Sequence, residues 1–148
     1  DEARIPSSSV CIVSPDHGGL SRAQNFASNF EGSCFAYAIK NRPQPNKAVI
    51  EKVDGDFQGK LCLIIDDIID TAGTLSEVAK FLLANGAKEV WVAATHGIFS
   101  GRASELIKES GIKKTYISNT IESNQERSEI LSIAPVVADY LRSKFLRR

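Results

Sequence analysis

The feature that most constrains the fold is a change of pattern between Lys60 and Ala84. Leu61 to Ile65 is a continuous apolar run. Such a run suits a strand buried on both faces, and therefore a parallel sheet covered by helices. From Leu75 onward, Leu75, Val78, Ala79, Leu82 and Leu83 fall on one helical stripe, and Gly86 supplies a stop. A strand feeding a helix through a polar loop places that loop at the carboxyl edge of a sheet, where open α/β folds bind ligands.

Three carboxylates, two threonines and a glycine lie between these elements. Thr71-Ala72-Gly73-Thr74 offers backbone N–H groups at a helix start, two hydroxyls, and a glycine that lets an anion approach. That end suits a phosphate. Asp66 and Asp67 would repel the same phosphate, so they should face neutral hydroxyls or a metal. The two ends together suit a sugar phosphate. The alternative is that Asp70, Thr71 and Thr74 only cap a helix while Asp66 and Asp67 are solvated. It leaves three crowded carboxylates with nothing to bind.

The remaining pattern repeats the same theme. Val10 to Val13 reads as a strand, Ser14-Pro15-Asp16-His17-Gly18-Gly19 as a turn, Leu20 to Phe30 as a helix and Cys34 to Ile39 as a second strand. Right-handed crossover makes those two strands parallel. Lys40 to Lys47, with two prolines and little to bury, predicts a mobile loop. Ala48 to Val53 reads as a strand that turns through Asp54-Gly55-Asp56 into Leu61 as an antiparallel hairpin. Glu89 to Ala94 is a further parallel strand, Arg102 to Glu109 a short helix, Thr115 to Ser118 the strand that closes the sheet, and Ser132 to Leu146 a final amphipathic helix. The expectation is one α/β domain over residues 1–148: a mostly parallel twisted sheet with helices on both faces and an inserted antiparallel hairpin.

The 148 residues suffice for one ordinary core, and Lys plus Arg balances Asp plus Glu at 18 each. No global basic field argues for nucleic acid or an anionic membrane. Cys11, Cys34 and Cys62 stand singly in apolar segments, which predicts core thiols in a reducing cytoplasm rather than a zinc site or disulfides. No stretch has the length of a transmembrane helix, and Asp1-Glu2-Ala3-Arg4 does not read as a signal peptide. A chain opening so close to its first strand reads as a domain cut from something longer.

Asp16 and His17 share the carboxyl edge with the acidic loop, which suggests a metal or substrate role for Asp16 beside its alternative as a helix cap. Lys40 and Arg42 follow the second strand at that edge. As solvated loop cations they mean little, but a lid carrying both suits phosphoryl transfer. His96 is also at a strand end, without a visible partner. There is no Gly-x-x-x-x-Gly-Lys-Ser/Thr loop and no Gly-x-Gly-x-x-Gly fingerprint.

The segment Asp66-Asp67-Ile68-Ile69-Asp70-Thr71-Ala72-Gly73-Thr74 resembles the phosphoribosyl-pyrophosphate binding motif of type I phosphoribosyltransferase folds. Ser14 to Gly19, Lys40 to Asn46, the acidic loop, Ala94-Thr95-His96-Gly97 and Phe99-Ser100-Gly101 follow the order and spacing of the ribose-phosphate pyrophosphokinases. The resemblance covers nearly the whole chain and the C-terminal half of those enzymes. It implies transfer of pyrophosphate from Mg-ATP to the 1-hydroxyl of ribose 5-phosphate, giving phosphoribosyl pyrophosphate and AMP, in a cytoplasmic homo-oligomer. It further implies that Asp66 and Asp67 hold ribose hydroxyls and that Asp70, Thr71, Ala72, Gly73 and Thr74 cradle the 5-phosphate. Lys40 and Arg42 match the catalytic loop, and Asp16 a residue associated with Mg2+. Asn41 stands where many members carry Arg, and the terminus from Arg142 to Arg148 lacks the Ser-Tyr-Leu-Phe ending of many bacterial members. A non-catalytic paralogue and a phosphoribosyltransferase are the alternatives.

Overall fold

The computed structural model describes residues 4–44, 47–123, 125 and 128–146, and leaves the side chains of residues 42–48 undescribed. Seven strands form one sheet: β1 (Val10–Ser14), β2 (Cys34–Gln44), β3 (Lys47–Asp54), β4 (Leu61–Ile69), β5 (Glu89–Gly97), β6 (Lys114–Ser118) and β7 (Ser128–Leu131). Their spatial order is β3-β2-β1-β4-β5-β6-β7, with every neighbouring pair parallel except β2 and β3. Four α-helices accompany them among the described residues: α1 (Leu20–Ala27), α2 (Gly73–Ala84), α3 (Ala103–Glu109) and α4 (Ala134–Phe145).

The run in β4 is apolar throughout because both sheet faces are covered. Leu61 and Ile65 join Ile12 and Val10 against Ala23 of α1, whereas Cys62 and Ile64 face Leu75, Val78, Ala79 and Leu82 of α2 on the opposite side. Right-handed crossovers require this split, since the chain moves one way from β1 to β2 and the other way from β4 to β5. The strand order therefore reverses between β1 and β4. Their carboxyl ends open the crevice where ligands of doubly wound folds bind, and Asp16 and the acidic loop stand there.

Several boundaries differ from the expectation. Helix α1 stops at Ala27, short of Phe30, because Ser28 Oγ and Asn29 Nδ2 donate to the carbonyl of Asn25 at 2.7 and 3.0 Å. At the end of α2 the expected glycine stop holds: Gly86 takes φ +98° and the N–H of Ala87 returns to Leu82. The segment from Lys40 to Lys47 is not a structureless loop. β2 runs through it to Gln44 and pairs antiparallel with β3, with irregular register beside Lys40 and between Asn41 and Gln44. Residues 45 and 46 lie outside the described residues.

The antiparallel partner of β3 is thus β2, not β4, because β4 sits between β1 and β5 in the interior of the sheet. Nor does β6 close the sheet. β7 adds beside it, a short strand with exposed Glu129, Ile130 and Leu131 and therefore no burial pattern to read. Helix α4 is amphipathic in sequence, yet none of its described residues is buried; Val136 is 72% and Phe145 74% exposed.

Candidate active site

Strand β4 continues past its apolar run to Ile69, so Asp66 and Asp67 are strand residues at the carboxyl edge. Asp66 accepts the backbone N–H of Asp67 at 2.9 Å, which fixes its carboxyl against the strand backbone. Arg22 of α1 joins them. Its Nη2 donates to Asp67 Oδ2 at 2.8 Å and its Nη1 to Asp66 Oδ1 at 3.4 Å. Arg22 was not among the expected site residues, because its acidic partners lie 44 and 45 residues away along the chain. A usable signal existed: a crowd of carboxylates requires a cation, and Arg22 lies in the first turn of the helix leaving the same edge.

The two carboxyls are electrostatically unequal. Burial, followed by the hydrogen bonding and charge of Asp67 and the charge of Asp16, pushes Asp66 up to about 6, against the opposing pull of the Asp67 N–H. Desolvation acts upward on Asp67 as well. Hydrogen bonding with Asp66, the Arg22 guanidinium, and the N–H groups of Asp67 and Ile68 outweigh it and hold Asp67 below the usual carboxylate range. Once ionised, each carboxylate is an acceptor for neutral donors such as hydroxyls.

The far end of the loop is built differently. Ala72 adopts a left-handed conformation at φ 61° and leads into α2 with no side-chain cap. The capping alternative for Asp70 and Thr71 is therefore absent. The uncapped N-terminus of α2 presents backbone N–H groups and its positive dipole end to the crevice. A Cβ built on Gly73 meets nothing within 4 Å, so protein packing does not demand a glycine there. The open space lies at the first residue of α2. Asp70 is turned aside: its Oδ1 accepts the hydroxyl of Ser100, and its carbonyl accepts the Ser100 N–H at 3.0 Å. With Ile98 N donating to Ile69 O at 2.8 Å, these bonds fasten the loop after β5 to the cradle.

Lys40 bridges the two sides of the crevice. Its Nζ lies 3.4 Å from both Asp16 Oδ2 and Thr74 Oγ1, and its side chain is only 11% exposed. The other oxygen of Asp16 accepts the N–H of Gly19 at 2.9 Å, so Asp16 both orders the turn into α1 and faces the cleft. Ser14 Oγ donates to the Asp16 carbonyl at 2.7 Å and fixes the same turn. A cleft of about 420 Å³ opens here, lined by Asp16, His17, Gly18, Tyr37 and Lys40. The backbone of Arg42 lies in β2, but its side chain is outside the described residues. His96 Nδ1 is 2.7 Å from Thr120 Oγ1, and Thr120 and Ser118 both donate to the Thr95 carbonyl, a self-satisfied network at the end of β5.

Among the described residues, no group of three or more His, Cys, Asp or Glu side chains converges to hold a metal. Asp16 offers the cleft a single carboxylate oxygen, Oδ2, and one or two carboxylates with phosphate oxygens and water make up a common shell for Mg2+.

Comparison with known proteins gives the family. The model of the phosphoribosyl synthetase-associated domain matches residues 36–148. The chain is similar to the ribose-phosphate pyrophosphokinase of Aquifex aeolicus, 45% identical over an alignment of 134 residues that covers 88% of this chain and 43% of that protein. It is likewise similar to the ribose-phosphate pyrophosphokinase of Bacillus subtilis, 43% identical over 88% of this chain and 42% of that protein. The chain thus spans less than half the length of these relatives. The crystal structure of phosphoribosylpyrophosphate synthetase from Mycobacterium smegmatis superposes with a TM-score of 0.77 at 34% identity, over 93% of this chain and 45% of that one. A purine phosphoribosyltransferase from Pyrococcus horikoshii Ot3 shares the fold, with a TM-score of 0.51 at 20% identity over 84% of this chain and 74% of its own. The chain belongs to the family of the phosphoribosyl synthetase-associated domain.

Proposed function

We propose that this chain is the ribose-5-phosphate-binding half of a ribose-phosphate pyrophosphokinase, the C-terminal part of a longer polypeptide whose other half supplies most of the ATP site. The enzyme transfers the β,γ-pyrophosphoryl group of ATP to the 1-hydroxyl of ribose 5-phosphate, yielding phosphoribosyl pyrophosphate and AMP. We further read it as a cytoplasmic homo-oligomer without nucleic-acid or membrane partners. The observation that carries the reading is Lys40: a largely covered ammonium between Asp16 and Thr74, spanning the crevice from the donor side to the phosphate cradle.

In this reading Asp66 and Asp67 accept hydrogen bonds from the ribose hydroxyls, while the N-terminus of α2 and the hydroxyls of Thr71 and Thr74 hold the 5-phosphate. Asp70 supports the cradle through Ser100. Fixing the sugar at both ends orients its 1-hydroxyl for in-line attack. Lys40, together with Arg42, stabilises charge on the transferring group, and the β2–β3 arm limits water around it. Asp16 would hold Mg2+, which supplies neutralisation of charge on the triphosphate when bound.

The test uses the full-length polypeptide with Mg-ATP and ribose 5-phosphate. Equal amounts of AMP and phosphoribosyl pyrophosphate are expected. Ribose 5-phosphate binding without AMP release would assign the chain to a non-catalytic paralogue instead. Release of pyrophosphate from phosphoribosyl pyrophosphate and a nucleobase, without ATP, would make it a phosphoribosyltransferase.

A further inference from the structure

The three cysteines look unrelated in sequence, but the sheet aligns them on one rung. Cys11 of β1 is in register with Cys34 of β2 on one side and with Cys62 of β4 on the other. Registered residues of parallel strands point to the same face, and all three thiols lie against the apolar layer beneath α2. The rung is at the amino-terminal ends of the strands. Asp16 and Lys40 stand at the other ends of β1 and β2, so it is separate from the crevice.

The environments of the three thiols differ. Cys11 and Cys62 are fully buried, whereas Cys34 is partly exposed. Cys34 Sγ donates to the carbonyl of Asp56 at 2.9 Å. The carboxylate of the same Asp56 pairs with Lys60 Nζ at 3.2 Å, and the Lys60 side chain is only 22% exposed. The Lys60 ammonium is held above its usual range by hydrogen bonding to Asp56 and, against some desolvation, by hydrogen bonding and charge from Cys34. Lys60 and Cys34 thus share Asp56 as a partner, which sets a lysine beside the partly exposed thiol of the rung, and a neighbouring lysine is among the surroundings found at reactive cysteines. Burial instead keeps Cys11 and Cys62 protonated, with Cys62 pushed up to about 12.

We propose that Cys34 is a site of reversible thiol oxidation, and that Cys11 resolves its oxidised form into a disulfide across β1 and β2. Neighbouring strands lie about 4.8 Å apart, within the roughly 4.4–6.8 Å spacing of Cα atoms in disulfides. The oxidant is a hydroperoxide. Cys34 thiolate attacks the peroxide, the O–O bond breaks as an S–O bond forms, and the departing oxygen leaves as water or an alcohol after taking a proton. Cys11 sulfur then attacks the Cys34 sulfenic acid. An S–S bond replaces the S–O bond, and the hydroxyl departs as water with the Cys11 proton. Two thiols give up two electrons and one peroxide accepts them.

Hydrogen peroxide titration of the full chain, followed by thiol counting in denaturant and peptide mass mapping, tests the proposal. The expected product has one free thiol, on Cys62, and a reducible Cys11–Cys34 linkage. In Cys11→Ser the oxidation should stop at a Cys34 sulfenic acid that dimedone traps. In Cys34→Ser all remaining thiols should resist. Lys60→Gln should slow alkylation of native Cys34 by iodoacetamide about tenfold at pH 7, as expected when thiolate stabilisation is lost, while the far-ultraviolet spectrum stays unchanged. Three free thiols after peroxide, a Cys11–Cys62 linkage, or an unchanged alkylation rate in Lys60→Gln would each overturn it.

Discussion

At one end of the loop leaving β4, charge is handled by side chains; at the other, it is handled by the backbone. Asp66 and Asp67 share the guanidinium of Arg22, which reaches across from another helix. Between Thr71 and Thr74 the protein instead offers an uncapped helix start, a left-handed alanine and an open glycine. The first arrangement is sensitive to pH and to single polar substitutions. The second should respond to steric change and little to pH. Lys40 touches the second end through Thr74 and faces Asp16 across from the first, so it belongs to neither.

That intermediate position gives the largest predicted effect. Replacing Lys40→Ala should lower AMP release by the full-length enzyme about a thousandfold, the scale of losing one donor aimed at developing charge. Ribose 5-phosphate affinity, measured calorimetrically, should change by less than about fivefold, or roughly 1 kcal/mol. Equal losses in turnover and affinity would place Lys40 in the sugar site.

The next effect isolates the backbone end. Gly73→Ala adds a methyl group into space that is empty of protein atoms. Its melting temperature should stay within about 2 °C of the parent, since a small surface change of this kind lies within about 0.5 kcal/mol. Affinity for ribose 5-phosphate should fall about tenfold or more, corresponding to roughly 1.4 kcal/mol, equally at pH 6 and pH 8. An unaltered affinity would remove the anion from the α2 N-terminus.

These two ends were not equally legible. The phosphate end is local in sequence: the strand, turn and helix that build it are consecutive, and the apolar run and helical stripe mark its borders. The acid end was legible only in part, because the Asp pair is adjacent but its cation comes from α1. The arm bearing Lys40 was misread for a further reason. Beyond Ser14 the strand β1 has ended, so β2 pairs there only with β3 and behaves as an edge. Edge pairing needs hydrogen bonds rather than burial and tolerates proline, so neither Pro43 nor the lack of apolar residues excluded a strand. β7 lacks the alternation that buried faces impose, and α4 carries an amphipathic pattern whose apolar side meets no partner within the described residues. Patterns of hydrophobicity show what a segment can bury, not what is present to cover it.

The pH dependence of binding sharpens the contrast. If ionised carboxylates accept the ribose hydroxyls, affinity should decline as pH falls through about 6, where Asp66 takes up its proton. The two carboxyls titrate as a coupled pair, so removing the Arg22 charge should raise their apparent midpoint. Arg22→Met should shift the midpoint of the affinity profile upward and reduce affinity about fivefold at pH 6.5, converging with the parent near pH 9, as expected for losing a neighbouring cation. Gly73→Ala should leave the midpoint where it is. A downward shift in Arg22→Met would contradict the role of the guanidinium.

The smallest effect concerns the fold, and its sign is diagnostic. Asp66 holds its proton more tightly in the folded protein, at about 6 against an ordinary 3.8. Its contribution to stability is therefore fully present below the unfolded value and is lost as pH rises through the folded one. At pH 7.5 the ionised Asp66 is a cost to the fold, offset in part by Arg22. Asp66→Asn removes that charge while its amide oxygen can still accept the Asp67 N–H. Solvent screening at this partly exposed site discounts the gain to about 1 kcal/mol, or a rise of about 2–4 °C in melting temperature. The gain should shrink as pH falls towards 4, and ribose 5-phosphate binding should weaken in the same variant. A variant that binds less well but melts higher at neutral pH identifies Asp66 as a carboxylate retained for its ligand. Lower stability at both pH values would instead mean that the ion pair with Arg22 outweighs burial, and that the acid end of the loop serves the fold.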